Sequence, residues 1–388
     1  MAKPSLPLLT TVVTTAIVVC RECLPGYDVD SLSHVVGLLD GYLNTFSSNW
    51  TVPRACNAGL SLRALEYLTT RDPDWGDGKD AAYVAVTKKS LHVLKWLNEC
   101  YPDRTSWGGL HVRRACKKGL PRSALEYLAA RDPDWGSGSR IAEYAAMKGF
   151  LHVIEWVGEC YPERTVWNPR YDGSLMDTAA EFGHLSILQW LHASRSEGCT
   201  TDAMDRAAAV GHLEVVEWLH RYRGEGCTKK AMDDAAAHGH LAVVEWLHSK
   251  RGEGCSKAAI RSATANGHLA VVRFLLENRR EVCTSDAMRY AAANGHLEIV
   301  QWLYVNRGDS NVGAALRYAA ENGHTEVVEW LYWYVREQRR GDLCIRDAVQ
   351  IALKAGQTKV AKLLDRKLKQ EASRAKPQQR GKKRRRRQ

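Results

Sequence analysis

From Cys227 to Gly254 the chain reads CTKKAMDDAAAHGHLAVVEWLHSKRGEG, and its apolar positions fall into two clusters. Ala231, Met232, Ala235 and Ala236 form the first; Leu241, Val243, Val244, Trp246 and Leu247 form the second. Spacings of three and four residues put side chains on one face of an α-helix, whereas a strand would alternate with period two. No such alternation appears, so the pattern predicts two helices. The first has a face of small residues that lets a neighbouring helix come close. The second has an apolar arc wide enough to pack against neighbours on both sides.

The same stretch recurs. Gly183-His184, Gly211-His212, Gly239-His240, Gly267-His268, Gly295-His296 and Gly323-His324 follow one another at a constant step of 28 residues. A seventh, degenerate copy carries Gly356 after a five-residue insertion around Arg336–Gly341. Upstream the period is looser: RAC at Arg54 and SLHVLKWLNECYPDRT at Ser90 both return, the second with changes, sixty residues later. Counting one turn per copy, with Gly59, Ser90, Gly119 and Gly149 added, gives eleven repeats. Thr200, Thr228, Ser256 and Thr284 precede the first helix, where a hydroxyl can accept an orphan backbone N–H as N-cap. The glycine then stands where a helix ends in the left-handed conformation, which a Cβ disfavours.

The run A-A-x-x-G-H-L-x-V-V-x-W-L resembles the second half of the ankyrin repeat and is visible over roughly residues 50–365. The family's unit is about 33 residues with a T-P-L-H segment and a β-turn finger. Here C-T-x-x-A-M replaces T-P-L-H and the copy is shorter, so the fingers reduce to loops such as Arg251-Gly252-Glu253-Gly254. The resemblance implies an all-α ankyrin-type helical-repeat solenoid, elongated and curved, whose first helices line a concave face. The domains so read are an N-terminal helical cap over 1–50, the array over 51–365 with strict period in 171–338, and a disordered basic tail over 366–388.

Repeat arrays need capped ends, because outermost repeats would otherwise expose apolar faces. Asp28 to Leu43 suits a capping helix, with Val29, Leu32, Val36, Leu39 and Leu43 on one side. Residues 1–20 divide into an apolar and a Thr-rich side, which favours an amphipathic helix over a secretory leader. Secretion stays open as an alternative.

Charge changes the picture in one place. The net charge is +11, and residues 366–388 hold twelve Lys or Arg against the single acid Glu371, so the remainder is net neutral. The body therefore has no general attraction for polyanions. The run Lys382, Lys383, Arg384, Arg385, Arg386, Arg387 resembles a nuclear-import motif and implies an import receptor as partner, with residence in nucleus and cytoplasm. The same run could hold nucleic-acid phosphates through counterion release, or act only as a solubilising tail. A membrane role is disfavoured, because no lipidation signal accompanies the run.

Catalytic and metal chemistry find little support. Cys199, Cys227, Cys255 and Cys283 recur 28 residues apart, at one position of successive repeats. Stacked helices lie about 10 Å apart, too far for disulfides or one shared zinc. Cys20-x-x-Cys23 lacks a second pair. His212 and His220 lack converging ligands, and the Gly-His imidazole is better read as bonding backbone at the turn. RDPDWGDG, with Asp72, Asp74 and Asp77, has Gly76 at the fifth place where a calcium loop needs an oxygen ligand, and reads as a turn at Pro73, as its copy does at Pro133. No phosphate loop or nucleophile elbow is present. These observations point to a non-enzymatic protein without cofactor or metal.

What repeats holds the stack; what varies is free to meet a partner. On the first helix the varying places are Asp205/Arg206, Asp233/Asp234, Arg261/Ser262, Arg289/Tyr290 and Arg317/Tyr318. Charge runs from acidic at Asp177, Asp205 and Asp233 to basic at Arg261, Arg289 and Arg317. With the family's first helices lining the concave face, the resemblance implies a charge-graded groove for a protein partner.

Overall fold

The computed structural model describes residues 51–385, apart from 60–61, 72–74, 76–77, 102–109, 132–134, 136–137, 163–173, 197, 279–285, 309–310 and 338–340. The expected N-terminal cap with Cys20 and Cys23 lies outside the described residues, as do Asp72, Pro73, Asp74, Asp77, Pro133, Cys283 and Thr284. Among the described residues all regular structure is helical, and the helices come in pairs joined by short turns.

The chain divides into two compact units, residues 1–167 and 168–388. The first holds four described pairs, from Val52–Ala58 with Leu62–Arg71 to Gly138–Lys148 with Leu151–Cys160. The second holds seven, from Leu175–Glu181 with Leu185–Ser194 to Gly341–Lys354 with Thr358–Arg385.

Each turn is built the same way. In the repeat starting at Thr201, Gly211 has φ +87°, the His212 N–H donates to the Ala207 carbonyl at 2.9 Å, and the Gly211 N–H donates to that of Ala208 at 3.1 Å. This is the Schellman closure, which satisfies carbonyls the helix itself leaves free. Ahead of the helix, the Thr200 hydroxyl accepts the Asp202 N–H at 3.1 Å. Thr228 and Ser256 cap their helices likewise. In the second repeat Lys89, not glycine, takes the left-handed place with φ +60°.

Within the second unit each first helix packs on the next, more closely than second helices do. Ala203, Ala207 and Ala208, then Ala231, Ala235 and Ala236, are fully buried at these contacts. A methyl side chain leaves the backbones room to approach and loses no rotamer freedom on burial. On the second helices Val243, Val244 and Leu247 are buried, each contributing about 1.5–3 kcal/mol over exposure. Leu241 and Trp246 are only half-buried, so the apolar arc is narrower than the sequence suggests. Trp246 instead meets the edge of His220 from the preceding repeat at 5.1 Å, and Trp218 meets His192 at 5.5 Å. In the first unit Trp135 and Trp156 do enter the core, stacked at 5.6 Å.

Described side-chain contacts continue a few residues past 365. The last helix runs Thr358–Arg385. Leu368, four residues after buried Leu364, extends the inward stripe. Glu371 pairs with Arg336, and Lys367 Nζ lies 3.8 Å from Glu329. A count of net charge hides this, because Ala, Leu, Glu, Gln and Lys all favour helix. Side chains beyond Ser373 lie outside the described residues.

Candidate functional site

The column of first-helix residues read as a charge-graded surface splits in two. Asp177 and Asp205 are buried, at 0% and 4% exposure, which excludes them from a partner surface. Asp177 accepts the Ser174 N–H at 2.9 Å in a capping box and also takes both donors of Thr200, N–H at 2.8 Å and hydroxyl at 2.9 Å. Asp205 takes the Thr228 N–H at 2.8 Å and hydroxyl at 2.5 Å. Asp233, half-buried, takes the Ser256 N–H at 2.7 Å and hydroxyl at 2.6 Å. Each carboxylate thus closes on the N-cap of the following repeat, where the helix dipole also favours negative charge. Burial pushes the Asp205 carboxyl above its ordinary value, against the pull of the Thr228 hydrogen bonds. The acidic half of the expected groove is therefore internal wiring. The recurring offset of 23 residues between acid and hydroxyl was the sequence signal for it.

The basic half stays at the surface. Arg261 and Arg317 are exposed, with no ion pair or hydrogen bond among the described residues. Arg289 pairs with Asp286 at 3.1 Å and lies 5.0 Å from the Tyr290 ring centre and 5.5 Å from that of Tyr318. A hydrogen bond to Tyr318 holds the Arg289 guanidinium above its ordinary pKa. The helices Lys257–Ala265, Ala287–Ala293 and Val312–Asn322 that carry these residues pack consecutively, so the arginines occupy one column. Arg206 is engaged locally, with Glu181 at 3.0 Å and Asp202 at 3.1 Å, and Asp234 is exposed.

The Gly-His imidazole is tied to backbone. His296 Nε2 lies 2.7 Å from the Ala265 carbonyl oxygen and His324 Nε2 2.8 Å from that of Ala293. A carbonyl can only accept, so Nε2 carries the proton. The ring also closes over the glycine of the preceding repeat: a Cβ on Gly183 would stand 2.7 Å from His212 Cε1. His220 points to the following repeat instead, so the two histidines read as a candidate pair serve different neighbours. Among the described residues no group of three or more His, Cys, Asp or Glu could hold a metal ion. No described helix is long and apolar enough to cross a membrane.

Of the basic run, Lys382, Lys383, Arg384 and Arg385 belong to the backbone of the last helix, while their side chains, and all of Arg386 and Arg387, lie outside the described residues.

Comparison with known families agrees with this geometry. Residues 232–314, 258–347 and 288–374 match a model described as ankyrin repeats in three copies. Residues 176–220 match a second, described as ankyrin repeats in many copies. No curated protein matches the chain.

Proposed function

Because this chain is an ankyrin-repeat protein, its repeats matched between residues 176 and 374, we propose that it is a non-enzymatic scaffold whose second unit binds a protein partner through its first-helix face. Ankyrin repeats serve generally as protein–protein interaction modules. The observation that carries the reading is the division of labour in one column. Asp177, Asp205 and Asp233 are consumed inside the stack, while Arg261, Arg289 and Arg317 present charge outward beside Tyr290 and Tyr318. Arg and Tyr are favoured anchors at protein interfaces.

The basic run from Lys382 to Arg387 serves nuclear import, so the protein divides between nucleus and cytoplasm. The confinement of the whole +11 charge to residues 366–388 supports this, and equally favours a second reading in which the tail holds nucleic-acid phosphates. Two measurements on the full chain decide. Replacing 382–387 by Gln abolishes nuclear accumulation if the run is an import signal. Nucleic-acid binding that falls steeply with salt and vanishes in the same variant, with localisation unchanged, favours the second reading. Partners retained in moderate salt by wild type and by the tail variant support the scaffold. Loss of every partner in moderate salt overturns it.

A further inference from the structure

We infer that the strip of Arg261, Arg289 and Arg317 receives an extended acidic segment of the partner protein, one carboxylate per repeat. This rests on the scaffold reading and specifies the partner's chemistry.

Charge along the column changes sign. In three earlier repeats the same column holds aspartates whose lone pairs are taken by the next N-cap. In the three later repeats the column holds arginines, two of them exposed and without an internal partner among the described residues. An exposed guanidinium that the protein does not neutralise is open to an incoming anion, and its planar fork suits a carboxylate.

The central arginine is preorganised. Arg289 pairs with Asp286 at 3.1 Å and lies 5.0 and 5.5 Å from two tyrosine ring centres, so part of its rotamer freedom is already spent before binding. Ordering a long side chain is a main cost of association, and this geometry lowers it. The rings also supply apolar flanks against which a bound chain can lie.

The spacing of the arginines selects the form of the segment. Packed helices stand about 10 Å apart. A polyproline-II chain advances ~3.1 Å per residue with three residues per turn. Acidic residues at every third position therefore lie on one face of such a segment, about 9 Å apart, in step with successive arginines. A β-strand does not match, since third neighbours point to opposite faces.

The test uses the full chain with 382–387 changed to Gln, so that the tail does not capture the probe. The probe is a fluorescein-labelled Pro/Ser peptide with Glu at every third position, compared with an isomer carrying the same Glu residues consecutively. Anisotropy is read at about 0.1 M salt, where surface charges still act over ~10 Å. The spaced peptide binds, the clustered isomer binds more weakly, and Arg289→Glu with Arg317→Glu weakens the spaced peptide by about tenfold or more. Arg261→Glu, on an exposed side chain, weakens it on its own, and guards against a folding defect in the double variant. Equal affinity for both peptides overturns the inference, as does indifference to charge reversal or a preference of the strip for single-stranded oligonucleotide. If the peptide fails while the chain still captures the same partners with and without charge reversal, the inference falls and the scaffold reading stands. If the chain captures no partner in moderate salt, the scaffold reading itself has failed.

Discussion

Thr228 gives both its donors to Asp205: its N–H lies 2.8 Å from Oδ1 and its hydroxyl 2.5 Å from Oδ2. One carboxylate thereby ties a first helix to the start of the next, and the link recurs at Asp177 with Thr200 and Asp233 with Ser256. Alanine packing holds these helices together but does not fix their register. A charged acceptor facing two donors does.

Removing the acceptor leaves the Thr228 N–H without its partner. Asp205→Ala should cost about 1–3 kcal/mol, read as a lowered midpoint in urea or thermal unfolding. Asp234→Ala, one residue along on an exposed side chain, serves as control and should change stability by less than ~0.5 kcal/mol. Equal effects would mean the link contributes nothing.

Gly267 meets two constraints at once. Its φ is +86°, and a Cβ would stand 2.7 Å from the His296 ring, which is itself held at 2.7 Å to the Ala265 carbonyl. Gly59, at φ +73°, has nothing within 4 Å. Backbone strain alone costs roughly 1–2 kcal/mol, so Gly59→Ala should lose about that much and Gly267→Ala distinctly more. Adding His296→Ala should recover part of the difference, as a double-mutant cycle of melting curves would reveal.

Two histidines set a pH dependence. Burial lowers the pKa of His240, with His238 adding to the effect, and burial followed by Arg114 lowers that of His111. The unfolded chain therefore takes up protons first as pH falls. Their contribution is intact above the ordinary histidine value of about 6.5 and is lost as pH drops from there through the lower folded values. The melting temperature should fall between neutral and mildly acidic pH, and His240→Gln should flatten that slope. A melting temperature that rises over the same interval would contradict the assignment.

Thiol reactivity should follow burial. Cys56 is buried with its thiol pushed up to about 11, and Cys116 is buried with its thiol raised further, in both cases by desolvation. Cys100 and Cys160 are exposed at the ends of their second helices. Alkylation of the native protein, followed site by site by mass spectrometry, should label Cys100 and Cys160 well before Cys56 and Cys116. Prompt labelling of Cys116 would show that its helix opens readily.

The sequence by itself determined the helix pairs and their turns, because every force involved acts within a few residues. Ala235 and Ala236 share a face by helical geometry, Thr228 caps the helix that follows it, and Gly239 takes the left-handed turn with φ +80°. Only the tertiary structure decided where the polar residues of one column go. Asp205 and Arg261 occupy equivalent places in the pattern, and variation alone made both look like surface. What separates them is that packing between chain segments 23 residues apart brings Thr228 within reach of the Asp205 carboxylate, which accepts both its donors, whereas the Arg261 guanidinium has no lone pair to offer a cap. The half-buried state of Trp246 and of Leu368 was hidden for the same reason. A recurring apolar residue reads alike whether its neighbour covers it or leaves one edge open, and that difference belongs to the stack as a whole.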